Sequence, residues 1–490
     1  MSQATWLLID ILVPIVGGII LAVLPLYERK TREIVTMIFV VATSILTYWI
    51  LLNPPSDFLV VGQITDELSI RLRVDGLSTA FAGLIAGLWP FACIFAFEYM
   101  THEGREKTFF AFYTATYGVT LGIAFSANVF TLYLFYELLT LITLPLVIHS
   151  MNAASIRAGY TYIKYSIGGA AAAFVCFTAL TFFGASEFVY GGNLSMEGTA
   201  GNRNFLLLMY VVGFFGFGVK AAIFPFQAWL PKASVAPTPV TALLHAVAVV
   251  KSGVFAVMRI TYYSFGADYL RGSWAQWIVM IFALITILYG STMGVKEQHI
   301  KRRLAYSTVS NLSYILFGVS LMSPWGLLGG LLHMIFHGIM KITLFFCAGA
   351  ILYQTHKEYL DEIEGVGQKM PLVFGIFTIA SLALTGVPPL NGFVSKWYLI
   401  IAAARNGQVL PGIGIGVLLI SALLTTIYLL SIIIKAFFPV EGFQVAKLQG
   451  IKDPNWYMTL PLTIFTIAII GFGVYSGPIT SLFERIAMGR

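Results

Sequence analysis

The sequence predicts an all-α integral membrane protein of about fourteen spanning helices, and three observations carry that prediction. The chain of 490 residues is 58% hydrophobic and only 10% charged, with a mean hydropathy of +0.85. A soluble domain carries roughly 25% charged residues. Apolar runs close to twenty residues long recur from one end to the other, the length that crosses a bilayer. The lysines and arginines behind the net charge of +7 punctuate the connections between these runs. They form no basic stripe, which excludes a nucleic-acid surface and fits the positive-inside bias of membrane proteins.

The runs lie at about 6–26, 34–52, 77–97, 109–126, 128–149, 159–183, 205–230, 238–263, 274–294, 304–322, 326–353, 371–403, 411–437 and 456–482. The first contains Asp10 and lacks both a basic n-region and a small-residue cleavage site. It reads as a retained span and not as a signal peptide. Connections are short, so residues 1–490 form a single membrane domain. Loops after odd-numbered runs hold fifteen Lys and Arg, Lys447 among them, and the others, with Arg490 at the C-terminus, hold seven. That asymmetry predicts both termini on the outer side.

Two stretches depart from plain helices. KAAIFPFQAWLPKASVAPTPV, from Lys220, packs Pro225, Pro231, Pro237 and Pro239 close together. LTGVPPLNGFVSKW, from Leu384, interrupts another run with Pro388 and Pro389. Proline removes a backbone donor and clashes with the preceding turn, so runs 7 and 12 are predicted to be discontinuous. Broken backbone at membrane depth survives only against protein or a wet cavity. Paired breaks point to an inverted repeat, here two five-helix units at 109–263 (runs 4–8) and 274–437 (runs 9–13).

Glu137, Lys220, Lys251, Lys341 and Lys396 fall deep inside apolar runs. Each charge at a helix centre costs roughly 2.5–3.5 kcal/mol unless it finds a partner or water. Glu137 reads as a carboxylate that loads and releases a proton or holds Na+, against the plainer role of joining two helices. Lys220 and Lys251 read as relay sites, or one of them as a static neutraliser of Glu137; the two readings are compatible. His333, His337 and Lys341 recur at four-residue spacing and share one helix face. Two histidines so placed resemble half a zinc site, but no third ligand is evident and Lys341 would repel a dication. Proton relay through the imidazoles fits better. His245 and His333 are candidate additional relay members. Lys164, Arg259 and Lys435 lie nearer helix ends and read as snorkelling side chains. Ser307, Ser310, Asn311 and Ser313 are polar enough to border a wet channel.

Cofactor chemistry finds no support. Cys93, Cys176 and Cys347 are isolated and no CxxC occurs, so no iron–sulfur, zinc or disulfide framework is predicted. PGIGIGV (411–417) has no preceding strand and reads as small-residue helix packing.

At FYELLTLITLPL, FPFQAWLPKASVAPTPVTALLHAVAVVKSG, KRRLAYSTVSNLSY, HGIMKITLFFCAGAI and GVPPLNGFVSKW the chain resembles the proton-conducting antiporter-like family. That family comprises the large subunits of Mrp-type Na+/H+ antiporters, the antiporter-like subunits of respiratory complex I and their relatives in membrane-bound hydrogenases. Length and span number look most like the D-type large component of Mrp-type antiporters, while TPVTALLHA is closer to hydrogenase-linked members. The resemblance implies a mid-membrane relay through Glu137, Lys220, Lys251, His337, Lys341 and Lys396. It also implies a bilayer location in a prokaryotic cell membrane, partner subunits, H+ and Na+ as transported ions, and no catalysis by the chain alone. No lateral helix is expected after run 14. A pumping subunit of a redox-driven complex is the alternative, and an autonomous solute carrier the third reading.

Overall fold

A computed structural model describes residues 3–65, 68–440 and 448–489; Lys447 and Arg490 lie outside the described residues. The helices are α1 (Thr5–Val23), α2 (Arg29–Leu52), α3 (Gly76–Tyr99), α4 (Glu106–Ala124), α5 (Val129–Val147), α6 (Ala153–Phe182), α7 (Arg203–Gly218), α8 (Trp229–Ala233), α9 (Thr238–Ala246) and α10 (Val249–Arg259). They continue with α11 (Ala267–Leu270), α12 (Trp274–Lys296), α13 (Ile300–Ser320), α14 (Pro324–Thr355), α15 (Pro371–Thr385), α16 (Asn391–Asn406), α17 (Val409–Phe437), α18 (Trp456–Val474) and α19 (Gly477–Ala487). Every predicted run is helical, and runs 7 and 12 are interrupted where the prolines placed them.

The helix starts follow local chemistry. Asp75, Asn128, Asn152, Ser273 and Ser323 each cap a helix by accepting a backbone N–H with the side chain, which satisfies an orphan donor of the first turn. Pro324 and Pro371 open α14 and α15, where a missing N–H costs nothing.

Most spans keep one face exposed. Two do not: Thr238–Phe265 is wholly buried and Pro324–Thr355 almost so. A helix apolar all round belongs inside a bundle, and α14 packs against α3, α9, α13, α15, α16, α18 and α19. It is the spine of that group of helices.

Four features differ from the sequence reading. Run 8 is not continuous: α9 ends at Ala246 and α10 begins at Val249. A two-stranded antiparallel hairpin, β1 (Leu59–Gln63) with β2 (Ser69–Leu72), follows α2. Run 14 is not continuous either: α18 ends at Val474 and the short amphipathic α19 takes up the rest of the run from Gly477. Within the basic stretch before run 10, Lys301 and Arg303 are buried and bond to carbonyls of Ala236 and Tyr428, while Lys296 and Arg302 stay on the surface.

The broken backbone is satisfied internally. After α7, the Val219 carbonyl accepts from Trp229 Nε1 at 2.8 Å and the Phe224 N–H donates to Thr286 Oγ1 at 3.0 Å. After α15, Gly386 takes φ +101°, and the N–H groups of Gly386 and Val387 turn back to Leu382 at 3.0 Å. Such a φ suits glycine because a Cβ would be strained there. Gly386→Ala should destabilise the protein by about 1–3 kcal/mol, read as a lower melting temperature by fluorescence-detected size exclusion; an unchanged temperature would show that the turn adapts.

Candidate functional site

The deep charges fall into two groups. In the first, α5 carries Glu137 and the segment after α7 carries Lys220, whose Nζ lies 4.0 Å from Glu137 Oε1. Lys220 is buried, whereas the Glu137 side chain is 29% exposed. The ammonium also donates to the Tyr136 carbonyl at 2.5 Å and sits 3.2 Å from the Tyr136 ring centroid. Carbonyl and ring face both offer negative potential to a cation. Glu137 therefore flanks the bundle, while Lys220 is held by several acceptors inside it.

The second group runs across the two buried spans. Lys251 on α10 places Nζ 2.6 Å from His337 Nδ1 on α14. The His337 and His333 rings stack with centroids 5.7 Å apart. His333 bonds through Nδ1 to Ser395 Oγ at 3.0 Å and through Nε2 to Asn311 Oδ1 at 3.3 Å, and stacks on Tyr314. The other side of this array reaches Lys396, whose Nζ lies 5.0 Å from the Tyr314 ring centroid. Lys396 donates to the carbonyls of Leu384 and Thr385 at 2.6 and 3.0 Å. Those two residues end α15, so the cation meets the negative end of a helix dipole.

Lys341 joins this group through its partners. It donates to the Leu304 carbonyl at 2.9 Å and to Ser307 Oγ. His245 is buried against the Phe345 ring with neither nitrogen hydrogen-bonded, so it makes no hydrogen bond to Lys251. Among the described residues, no carboxylate lies in ion-pair distance of Lys251, Lys341 or Lys396, and no hydrogen bond or ion pair joins Lys220 to Lys251. No cluster of three metal-ligating side chains occurs among them either.

The array has members that the sequence reading passed over. Tyr314 and Ser395 connect His333 to the Lys396 end; Tyr314 sits at the close of the polar stretch 307–314, and Ser395 precedes Lys396. Arg259 does not snorkel. It is fully buried and donates to both Asp75 oxygens at 2.5 and 2.9 Å and to Ser78 Oγ at 2.9 Å. The carboxylate that caps α3 thus also anchors the last turn of α10. Asp10 is buried too, accepting from Thr47 at 2.8 Å. Lys164 and Lys435 are exposed, as read.

Residues 126–425 match the family described as NADH:quinone oxidoreductase/Mrp antiporter, TM. The chain belongs to this family. A relative in Trichodesmium erythraeum, NAD(P)H-quinone oxidoreductase chain 4 1, is 26% identical, with 99% of this chain and 92% of the relative covered. Among solved structures, the archaeal membrane-bound sulfane sulfur reductase contains a chain of the same fold, with TM-score 0.86 at 22% identity over 100% of this chain and 98% of that one. A chain of the Mrp complex from Dietzia sp. DQ12-45-1b superimposes with TM-score 0.83 at 21% identity, covering 99% and 97%. This family member is a multi-pass membrane protein with an antiporter-like fold.

Asp75→Asn would leave the buried Arg259 charge without its counter-ion. Removing one partner of a buried pair costs about 3–5 kcal/mol, so the variant should melt well below the wild type in mild detergent. Melting at the wild-type temperature would mean that Ser78 and the surrounding rings hold Arg259 unaided.

Proposed function

We propose that this chain is a proton-translocating subunit of a redox-driven membrane complex of the NADH:quinone oxidoreductase type. The contact between Lys251 and His337, 2.6 Å apart at the crossing of the two buried spans, carries the reading. An ammonium with no carboxylate beside it is held by a base that can itself take the proton. Moving that proton from Lys251 to His337 exchanges donor and acceptor without separating the two groups.

From His337 the path leads along the stacked rings of His333 and Tyr314 to Lys396, with water completing the steps between them. Protons reach Lys251 from the Glu137–Lys220 pair through water, since among the described residues no hydrogen bond or ion pair joins Lys220 to Lys251. Lys341 sets the charge felt by His337, because like charges repel strongly in a low-dielectric interior. The unwound segments after α7 and α15 lie beside Lys220 and Lys396 and belong to two inverted units, 109–263 and 274–437. Each unit holds one such lysine at its break. The half-exposed Glu137 lies where a neighbouring subunit would cover it, which gives the partner a handle on Lys220. His245 is left outside the relay.

The redox driver is favoured over an Mrp-type exchanger by the quinone oxidoreductase relative that matches nearly the full chain. An Mrp-type Na+/H+ complex is the second reading, supported by the likeness to the Dietzia chain. Mass spectrometry of the complex purified from native membranes separates them. Stoichiometric iron–sulfur or flavin subunits support the first, and small antiporter subunits without metalloproteins overturn it.

Glu137→Gln and Lys251→Met should each abolish proton uptake by reconstituted vesicles while the complex keeps its size on native gels. Normal uptake in the Lys251 variant would sink the relay, and normal uptake in the Glu137 variant would remove only its first pair.

A further inference from the structure

We propose that the flank of α6 is a binding site for an anionic phospholipid, with the phosphodiester at one end of the bundle and an acyl chain running alongside α6 and α7. Two adjoining cavities share Lys164. The first, of about 730 Å3, is lined by Arg157, Lys164, Lys232 and Arg302 together with Tyr160 and Thr161. No carboxylate lines it, and none of the four cations has an ion-pair partner among the described residues. The second cavity, of about 390 Å3, continues from Lys164 along Gly168, Ala172, Phe215 and Gly216 and carries no other charge.

The helix geometry joins the two. Arg157, Lys164 and Gly168 are spaced seven and four residues apart on α6 and so share a face. Tyr160, on the same turn as Arg157, is exposed, a residue type that collects where aromatic side chains meet headgroups. Gly169 and Gly168 play different parts. A Cβ on Gly169 would press 2.7 Å from Val219 Cβ and 2.8 Å from the Gly216 carbonyl, whereas one on Gly168 would meet nothing within 4 Å. Gly169 lets the two helices approach; Gly168 leaves the channel open.

A cluster of unpaired cations at the rim of an apolar channel is complementary to a phosphate on a hydrocarbon chain, and basic pockets between spanning helices recognise such headgroups. A free phosphate would use only the first cavity, and a zwitterionic lipid would bring its own cation to the rim. The channel is bounded by Val219 and Phe226, which flank the interruption beside Lys220. The lipid therefore also packs against one edge of the broken span. The site stands whether or not the proton relay does.

The test labels the intact complex in mild detergent with phosphatidylglycerol bearing a photoreactive acyl chain, then maps the modified peptides. Labelling should fall on residues 165–172 and 215–226 and be displaced by dioleoyl phosphatidylglycerol but not by dioleoyl phosphatidylcholine. Arg157→Gln with Lys164→Gln should weaken that competition roughly 25-fold, at roughly fivefold per cation removed. Gly168→Leu should block labelling while the rim remains intact. Equal competition by phosphatidylcholine, or labelling unaffected by the charge substitutions, would overturn the proposal. So would displacement by inorganic phosphate alone, which would make the rim a site for free anions. A neighbouring protein subunit cross-linked into the channel through a photoreactive side chain at position 168 would also overturn it. Should the substitutions prevent folding, competition on the wild-type complex decides alone.

Discussion

An ammonium group at membrane depth must find acceptors, and how it finds them shapes this protein. Lys220 takes a backbone carbonyl and a ring face, Lys341 a carbonyl and a hydroxyl, and Lys396 the two carbonyls at the end of α15. The carbonyls and the ring face stabilise a charge and cannot carry it away. Lys251 is the exception. Its acceptor is an imidazole nitrogen on another helix, a group whose ordinary titration lies near neutrality. The array thus has one junction at which acceptance of a hydrogen bond and acceptance of a proton are the same event.

The interruptions serve this need directly. A continuous helix uses most of its carbonyls internally, so a lysine buried among such helices must share one, as Lys220 does with Tyr136 and Lys341 with Leu304. Ending α15 at Thr385 frees the two carbonyls that Lys396 occupies, and the turn at Gly386 lets α16 bring that lysine back towards them. The interruption within run 8 falls at Val247 and Ala248, a turn before Lys251. At its far end α10 is fixed by Arg259 to Asp75. The segment bearing Lys251 is therefore broken at one end and clamped at the other.

How much of this was readable from sequence depends on where each signal lives. The spans were legible because bilayer thickness dictates run length, and the breaks in runs 7 and 12 because proline announces them. The break in run 8 carries neither proline nor glycine at Val247–Ala248, so nothing local marks it. Arg259 misled because its place near a helix end is what snorkelling looks like, while its partner Asp75 is 184 positions away. The spacing of His333, His337 and Lys341 placed them on one face, and that face does meet Lys251 and the 307–314 stretch. The spacing could not say that His337 would touch Lys251 while His245, six residues from that lysine, would not.

The uneven burial of the two groups has a consequence for coupling. Lys251, His337, His333 and Lys341 are sealed inside the bundle, whereas Glu137 shows nearly a third of its side chain at the flank. A charge change outside this chain acts more directly on a carboxylate at the flank than on a buried imidazole, because Coulomb coupling falls with distance. In the proposed relay the energy input acts through Glu137 first and reaches Lys220 across 4.0 Å. The internal array can be the same for a redox driver and for a cation gradient, since neither needs to touch it. That separation is what would let a single fold serve assemblies of both kinds under the proposed reading, with the driver in a neighbouring subunit.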